Sequence, residues 1–149
     1  MRFLQFASVF VFMVLATSGL AQPVSDYVTV DKAFARAVAP GMSMSGAFMT
    51  ITNHGDEEHF VVSASSDAAR NVELHAHTNQ DGMMRMRQVA HFHLKPGKST
   101  ELRPGGLHIM LMKLQQPLAE GTTIQITLQF SDGSSKTVNV PVKSLSAMH

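Results

Sequence analysis

Apolar and polar residues alternate with a period of two along most of the chain beyond residue 26. Ala47, Met49 and Ile51 alternate with Phe48, Thr50 and Thr52. Val72, Leu74 and Ala76 alternate with Glu73, His75 and His77, and Ile124, Ile126, Leu128 and Phe130 with Gln125, Thr127 and Gln129; Val138, Val140 and Val142 repeat the pattern. Successive side chains of a strand point to opposite faces, so the pattern predicts strands with one buried face. Turn signals separate the runs: Asn53-His54-Gly55-Asp56, Asp81-Gly82, Pro96-Gly97, Pro104-Gly105-Gly106 and Asp132-Gly133. No stretch carries a 3.6-residue stripe, and Ser66 to Asn71 offers one helical turn at most. Pro141, which has no N–H to give to a ladder, predicts an edge position for the last strand. Many short strands at regular spacing predict a single all-β domain, an antiparallel β-sandwich or barrel.

The first residues read differently. Arg2 is the only charge before Asp26, Phe3 to Ala16 is mostly apolar, and the small residues Thr17-Ser18-Gly19-Leu20-Ala21 follow. This predicts an export signal over residues 1–21, cleaved after Ala21. The apolar run, about fourteen residues, is short of the roughly 20 that span a bilayer. No cysteine follows it to carry a lipid, so no stable membrane anchor is expected. The exported domain, residues 22–149, would reside in the periplasm; at about 128 residues it is long enough to bury a core of its own.

Charge and cysteine content exclude several classes. Without Arg2, eleven Lys and Arg face eleven Asp and Glu, and the formal net charge falls from +1 to 0. A neutral chain with no basic block has no electrostatic case for nucleic acid or an anionic membrane. There is no cysteine, so disulfide staples, thiol exchange and the thiolate of a blue-copper centre are all ruled out.

Candidate chemistry lies in histidine and methionine. Methionine is common core filler, so position has to decide among the eleven present. Leu107 to Leu114 reads as a strand with Leu107, Ile109 and Leu111 on one side and His108, Met110 and Met112 on the other. Residues i and i+2 on one face lie roughly 7 Å apart, so His108 and Met110 can lean onto one ion, beside an entrance at Pro104-Gly105-Gly106. His75 is on the polar-facing set of its strand, and Met86 returns past the Asp81-Gly82 turn toward it. Imidazole and thioether together carry no formal charge, which suits monovalent Cu(I) better than Zn²⁺, an ion that favours thiolate, imidazole or carboxylate. Binding and handing over a metal is the chemistry that remains.

These residues, His75, Met86, His108 and Met110, reproduce the spacing His-x10-Met-x21-His-x-Met without insertion. With the words Ala33-Phe34-Ala35-Arg36, Val72-Glu73-Leu74-His75, Asp81-Gly82-Met83-Met84-Arg85-Met86 and Leu102 to Met112, the segment from about Phe34 to Val142 resembles the periplasmic copper chaperones of the PCuA(C) family. The resemblance implies a cupredoxin-like β-sandwich that binds one Cu(I) at a partly exposed site. It further implies delivery to the CuA site of cytochrome c oxidase, sometimes alongside Sco-type thiol proteins, with these four residues as ligands. Phe34 and Phe48 stand where the family often has Trp and Tyr. Some members carry a long His/Met-rich tail, whereas this chain ends in Met148-His149.

Other residues are weighed beside this set. His77 shares the face of His75 and can shield or assist it. Glu73 can orient a histidine. Met83, Met84 and Met112 are expected to pack, Met42 and Met44 to sit in a surface loop, and His91, His93, His54 and His59 have no evident partner set. No Ser-His-Asp word, Gly-rich phosphate loop or carboxylate pair is present, so the protein is not expected to be an enzyme. The expected mechanism is ligand exchange, an incoming thiolate displacing exposed methionines one at a time. The alternative is a copper buffer or tolerance protein without a dedicated acceptor.

Overall fold

The computed structural model describes residues 19–144 and 146. The expected signal therefore falls almost wholly outside the described residues, as does Met148-His149. Among those described, a single helical turn, α1 (Val24–Tyr27), leads into ten strands: β1 (Val28–Arg36), β2 (Met44–Asn53), β3 (His59–Ser66), β4 (Ala69–Gln80), β5 (Met83–Gln88), β6 (Phe92–Leu94), β7 (Ser99–Leu102), β8 (His108–Leu114), β9 (Thr123–Phe130) and β10 (Ser135–Lys143). No helix there is long and apolar enough to cross a membrane.

The strands run β5-β4-β8-β2-β1-β10-β9-β3-β6, with β7 on β2 and an additional β3–β4 pairing. That last pairing closes β4, β8, β2, β1, β10, β9 and β3 into a flattened, cupredoxin-like barrel, while β5, β6 and β7 are attached to its rim. The expected β-sandwich is thus present. Its ladders are antiparallel except one, since β1 and β10 pair in parallel through Ala35↔Val142 and Arg36↔Lys143.

The alternating positions fill the interior. Ala47, Met49, Ile51, Leu74, Ile109, Leu111, Ile126, Leu128 and Phe130 are all less than 5% exposed and belong to one core. The interior also takes polar side chains, Ser45 and Asn53 among them. Asn53, fully buried, donates from Nδ2 to the carbonyls of Glu57 and Leu94 at 2.8 and 3.0 Å and accepts from the Gly55 amide at 2.9 Å. It ties the β2–β3 turn to β6.

Two local expectations are corrected. Ser66 to Asn71 forms no helical turn: Ser66 pairs with Ala69 across a tight hairpin. Ala68 and Ala69 are buried there, which pins the turn to the core. Pro141 is not on an edge strand, because β10 lies between β1 and β9. The Val142 amide bonds toward β9, to the Thr122 carbonyl at 2.8 Å, so the Pro141 nitrogen faces β1. Pairing with β1 begins only at Val142, and the missing N–H leaves no gap in a ladder.

Candidate metal centre

The outer face of β5, β4, β8, β2 and β1 carries the candidate site, and register builds it. Asp81 and Gly82 both have positive φ, 52° and 78°, the requirement of a two-residue type I′ hairpin loop. This turn sets Met86 directly opposite His77 and Gln88 opposite His75. On the other side of β4, His75 pairs with His108 and Glu73 with Met110. Across β8, Met110 is opposite Gly46 and Met112 opposite Met44. Leu74 and Ile109 point into the core, so His75, His108 and Met110 share the opposite face, as the alternation predicts.

A groove of about 240 Å³ opens on this face, lined by His77, Met86, His108 and Met110, with Arg36, Phe48, Met42 and Met44 among its other walls. Pro104 and Gly105 line one end, as expected for an entrance. Gly46 keeps the floor open beside Met110; a Cβ there would come within 3.2 Å of the Phe48 ring. A glycine inside a strand was the available sequence signal for such a close approach. Phe48 is buried although it faces away from the core, because it packs against Phe34, ring centroids 5.1 Å apart, and against His108, at 6.3 Å.

The donors range from floor to rim. His108 is 3% exposed and Met110 7%, whereas Met86 is 51% exposed. The exposure that the expected displacement requires is therefore present at Met86 and not at Met110. Met83 and Met84, expected to pack, are also exposed on the edge strand β5, as are Met42 and Met44 on the groove's rim. Met112 lies one rung beyond Met110, opposite Met44.

The histidines are oriented by hydrogen bonds. His108 donates from Nδ1 to the Gly106 carbonyl at 3.1 Å, which leaves the Nε2 lone pair free for a metal. His75 donates from Nε2 to Glu73 Oε2 at 2.8 Å, so Glu73 does orient a histidine, and the free atom of His75 is Nδ1. That atom is buried and has no hydrogen-bond partner among the described residues; the same is true of His77 Nδ1. Orphaned buried nitrogens are what a ligand set without its ion should show. Burial pushes the His108 pKa below its usual value, partly opposed by the Gly106 hydrogen bond and reinforced by His77, His75 and Arg36. The shift favours the neutral ring, the form that binds metal.

Among the described residues no three His, Asp or Glu side chains converge on a metal by themselves, so a full coordination shell here needs sulfur. Arg36 is the one fixed charge lining the groove. By Coulomb's law it penalises a dication twice as much as a monocation. Glu73, bonded to His75 just outside the groove, offsets part of that charge, and it is the donor set that favours a soft monovalent ion.

The remaining histidines are apart from this face. His93 bonds Glu58 at 2.7 Å and stacks on Phe60 at 5.0 Å, while His91 meets the edge of the same ring at 4.6 Å. His59 is bonded to the Tyr27 hydroxyl and His54 to that of Thr29. Sequence spacing had found no partner set for them, and the fold supplies structural ones.

Fold and site together define a cupredoxin-like β-domain with a histidine and methionine groove on one face. The chain belongs to the LpqE-like family, described as "Putative lipoprotein LpqE-like", which it matches over residues 28–142. It is 42% identical over 123 residues to the "Putative lipoprotein Lxx21020" of Leifsonia xyli, covering 82% of this chain and 73% of that one. To the uncharacterized protein RP573 of Rickettsia prowazekii it is 33% identical over 102 residues, covering 68% of this chain and 56% of the relative. Among solved structures it is similar to Cu(I)-bound DR1885 of Deinococcus radiodurans, with TM-score 0.64 and 32% identity over 85% of this chain and 83% of that one. A copper-bound PCuAC domain from PmoF2 shares the fold, with TM-score 0.68 and 19% identity over 79% and 93% of the two chains.

Proposed function

We propose that this protein is an exported, periplasmic Cu(I)-binding metallochaperone. It takes one cuprous ion per chain as cargo, through His75, Met86, His108 and Met110, and passes it on by ligand exchange. The observation that carries this reading is the registered pair His75 and His108, beside a groove lined by Met86 and Met110. Neutral donors and the buried, unpartnered imidazole nitrogens of His75 and His77 support a soft monovalent ion. The Cu(I) form of DR1885, 32% identical, supports the same ion.

The gradient of exposure supports hand-over rather than storage. A thiolate or other soft acceptor would meet Met86 first and displace it, while His108 and Met110 still hold the ion below. Copper then never leaves as a free ion. The acceptor proposed is the CuA site of cytochrome c oxidase, with Sco-type thiol proteins as partners. No chemical turnover is part of this reading.

Anaerobic titration against a competing chelator should show one tight Cu(I) per chain, lost in His108→Ala or Met110→Ala. Unchanged affinity in both variants removes the proposal. Mixing the loaded protein with an apo CuA domain, followed by absorbance, tests delivery. The exposed Met42, Met44, Met83 and Met84 favour a second reading, a copper buffer; several ions per chain and no transfer would select it.

A further inference from the structure

The groove holds an imidazole outside the four-residue set. His77 is directly opposite Met86 in the β4–β5 ladder. Its ring centroid is 5.1 Å from that of His108, nearer than the 5.6 Å of His75. His77 lines the groove with Met86, His108 and Met110, whereas His75 does not. His77 Nδ1 is buried without a hydrogen-bond partner among the described residues, a state that is costly unless something else satisfies the atom. His75 differs, since Glu73 already holds its Nε2.

We propose that His77 is itself a Cu(I) ligand. It holds the ion at the mouth of the groove together with Met86, above His108 and Met110, and exchanges with His75 as copper enters and leaves. The inference rests on the Cu(I)-binding reading above. A d¹⁰ ion in a tetrahedral shell takes four donors, and three imidazoles, those of His75, His77 and His108, stand beside Met86 and Met110, so one imidazole is in reserve. The exchange is a substitution at the metal: a ring-nitrogen lone pair of His77 replaces that of His75, copper stays Cu(I), and each ring keeps its proton on the nitrogen that does not bind. An ion can thus move between a flanking position braced by Glu73 and a mouth position beside exposed Met86 without losing its imidazole shell.

The test uses the full domain labelled with ¹⁵N-histidine, with Ag(I) as a redox-inert probe and Cu(I) competition in parallel. One equivalent of Ag(I) should move the His77 Nδ1 resonance by coordination, and this shift should persist in His75→Gln. His77→Gln should bind Cu(I) roughly tenfold or more weakly, since even outer-shell partners of metal ligands cost 10–100-fold. Coordination shifts at His75 and His108 with none at His77 would overturn the proposal while leaving the Cu(I) reading intact. No Ag(I) or Cu(I) binding by the natural chain would overturn both. If His77→Gln fails to fold, the labelled natural chain decides alone.

Discussion

His75 and His108 face each other as a registered pair across β4 and β8, with ring centroids 5.6 Å apart. The two rings are held by opposite nitrogens, Nε2 of His75 on Glu73 and Nδ1 of His108 on the Gly106 carbonyl. Each therefore presents its other nitrogen, and its orientation is set before any ion arrives.

Glu73→Gln weakens the brace on His75. Glu73 Oε2 accepts the hydrogen bond at 2.8 Å with the Glu73 side chain 32% exposed, so the stability loss should stay under about 1 kcal/mol. Cu(I) affinity should fall about 10–100-fold, as for other outer-shell carboxylates of metal ligands. Chelator competition and thermal melting of the same variant separate the two effects.

The metal-free protein should lose stability as the pH falls through about 6.5. The folded-state pKa of His108 lies below its ordinary 6.5, so in that window the unfolded chain binds the proton that the folded chain refuses. The contribution of His108 is complete above 6.5 and shrinks on acidification until the folded ring itself protonates. Melting curves at pH 7.5 and 5.5 should differ more in the natural chain than in His108→Gln; equal differences would refute the prediction.

Gly82→Ala should loosen the β4–β5 hairpin alone. Nothing lies within 4 Å of a Cβ at Gly82, but its φ of 78° costs an L-residue about 1–2 kcal/mol. Because β5 is attached outside the closed barrel, amide exchange should quicken in β5 and leave β8 and β9 protected. Cu(I) affinity should fall modestly through displacement of Met86.

Asn53→Ala should cost about 1–3 kcal/mol in denaturant unfolding, because it strips partners from the Leu94 carbonyl and the Gly55 amide in a buried place. Asn53 is remote from the groove, so the folded variant should bind Cu(I) with unchanged affinity. A large loss of affinity would mean that the turn and the site are coupled.

The sequence by itself determined the strands, because a half-buried strand must alternate: Leu74 inward with His75 outward, and Ile109 inward with His108 and Met110 outward, can be read from residue order alone. It also determined the Asp81-Gly82 reversal, since few residue pairs accept positive φ. What it could not determine was anything set between strands. Pro141 looked like an edge residue because its own strand's neighbours are invisible in one dimension. His75 and His77 share one face, and spacing favoured His75; only the pairing of β4 with both β5 and β8 decides that Met86 stands opposite His77 and His108 opposite His75. Burial follows the same rule. Met86 and Met110 are the same residue type on the same face, yet the edge position of β5 leaves one open to solvent, while the other lies on β8, flanked by β4 and β2, and is buried.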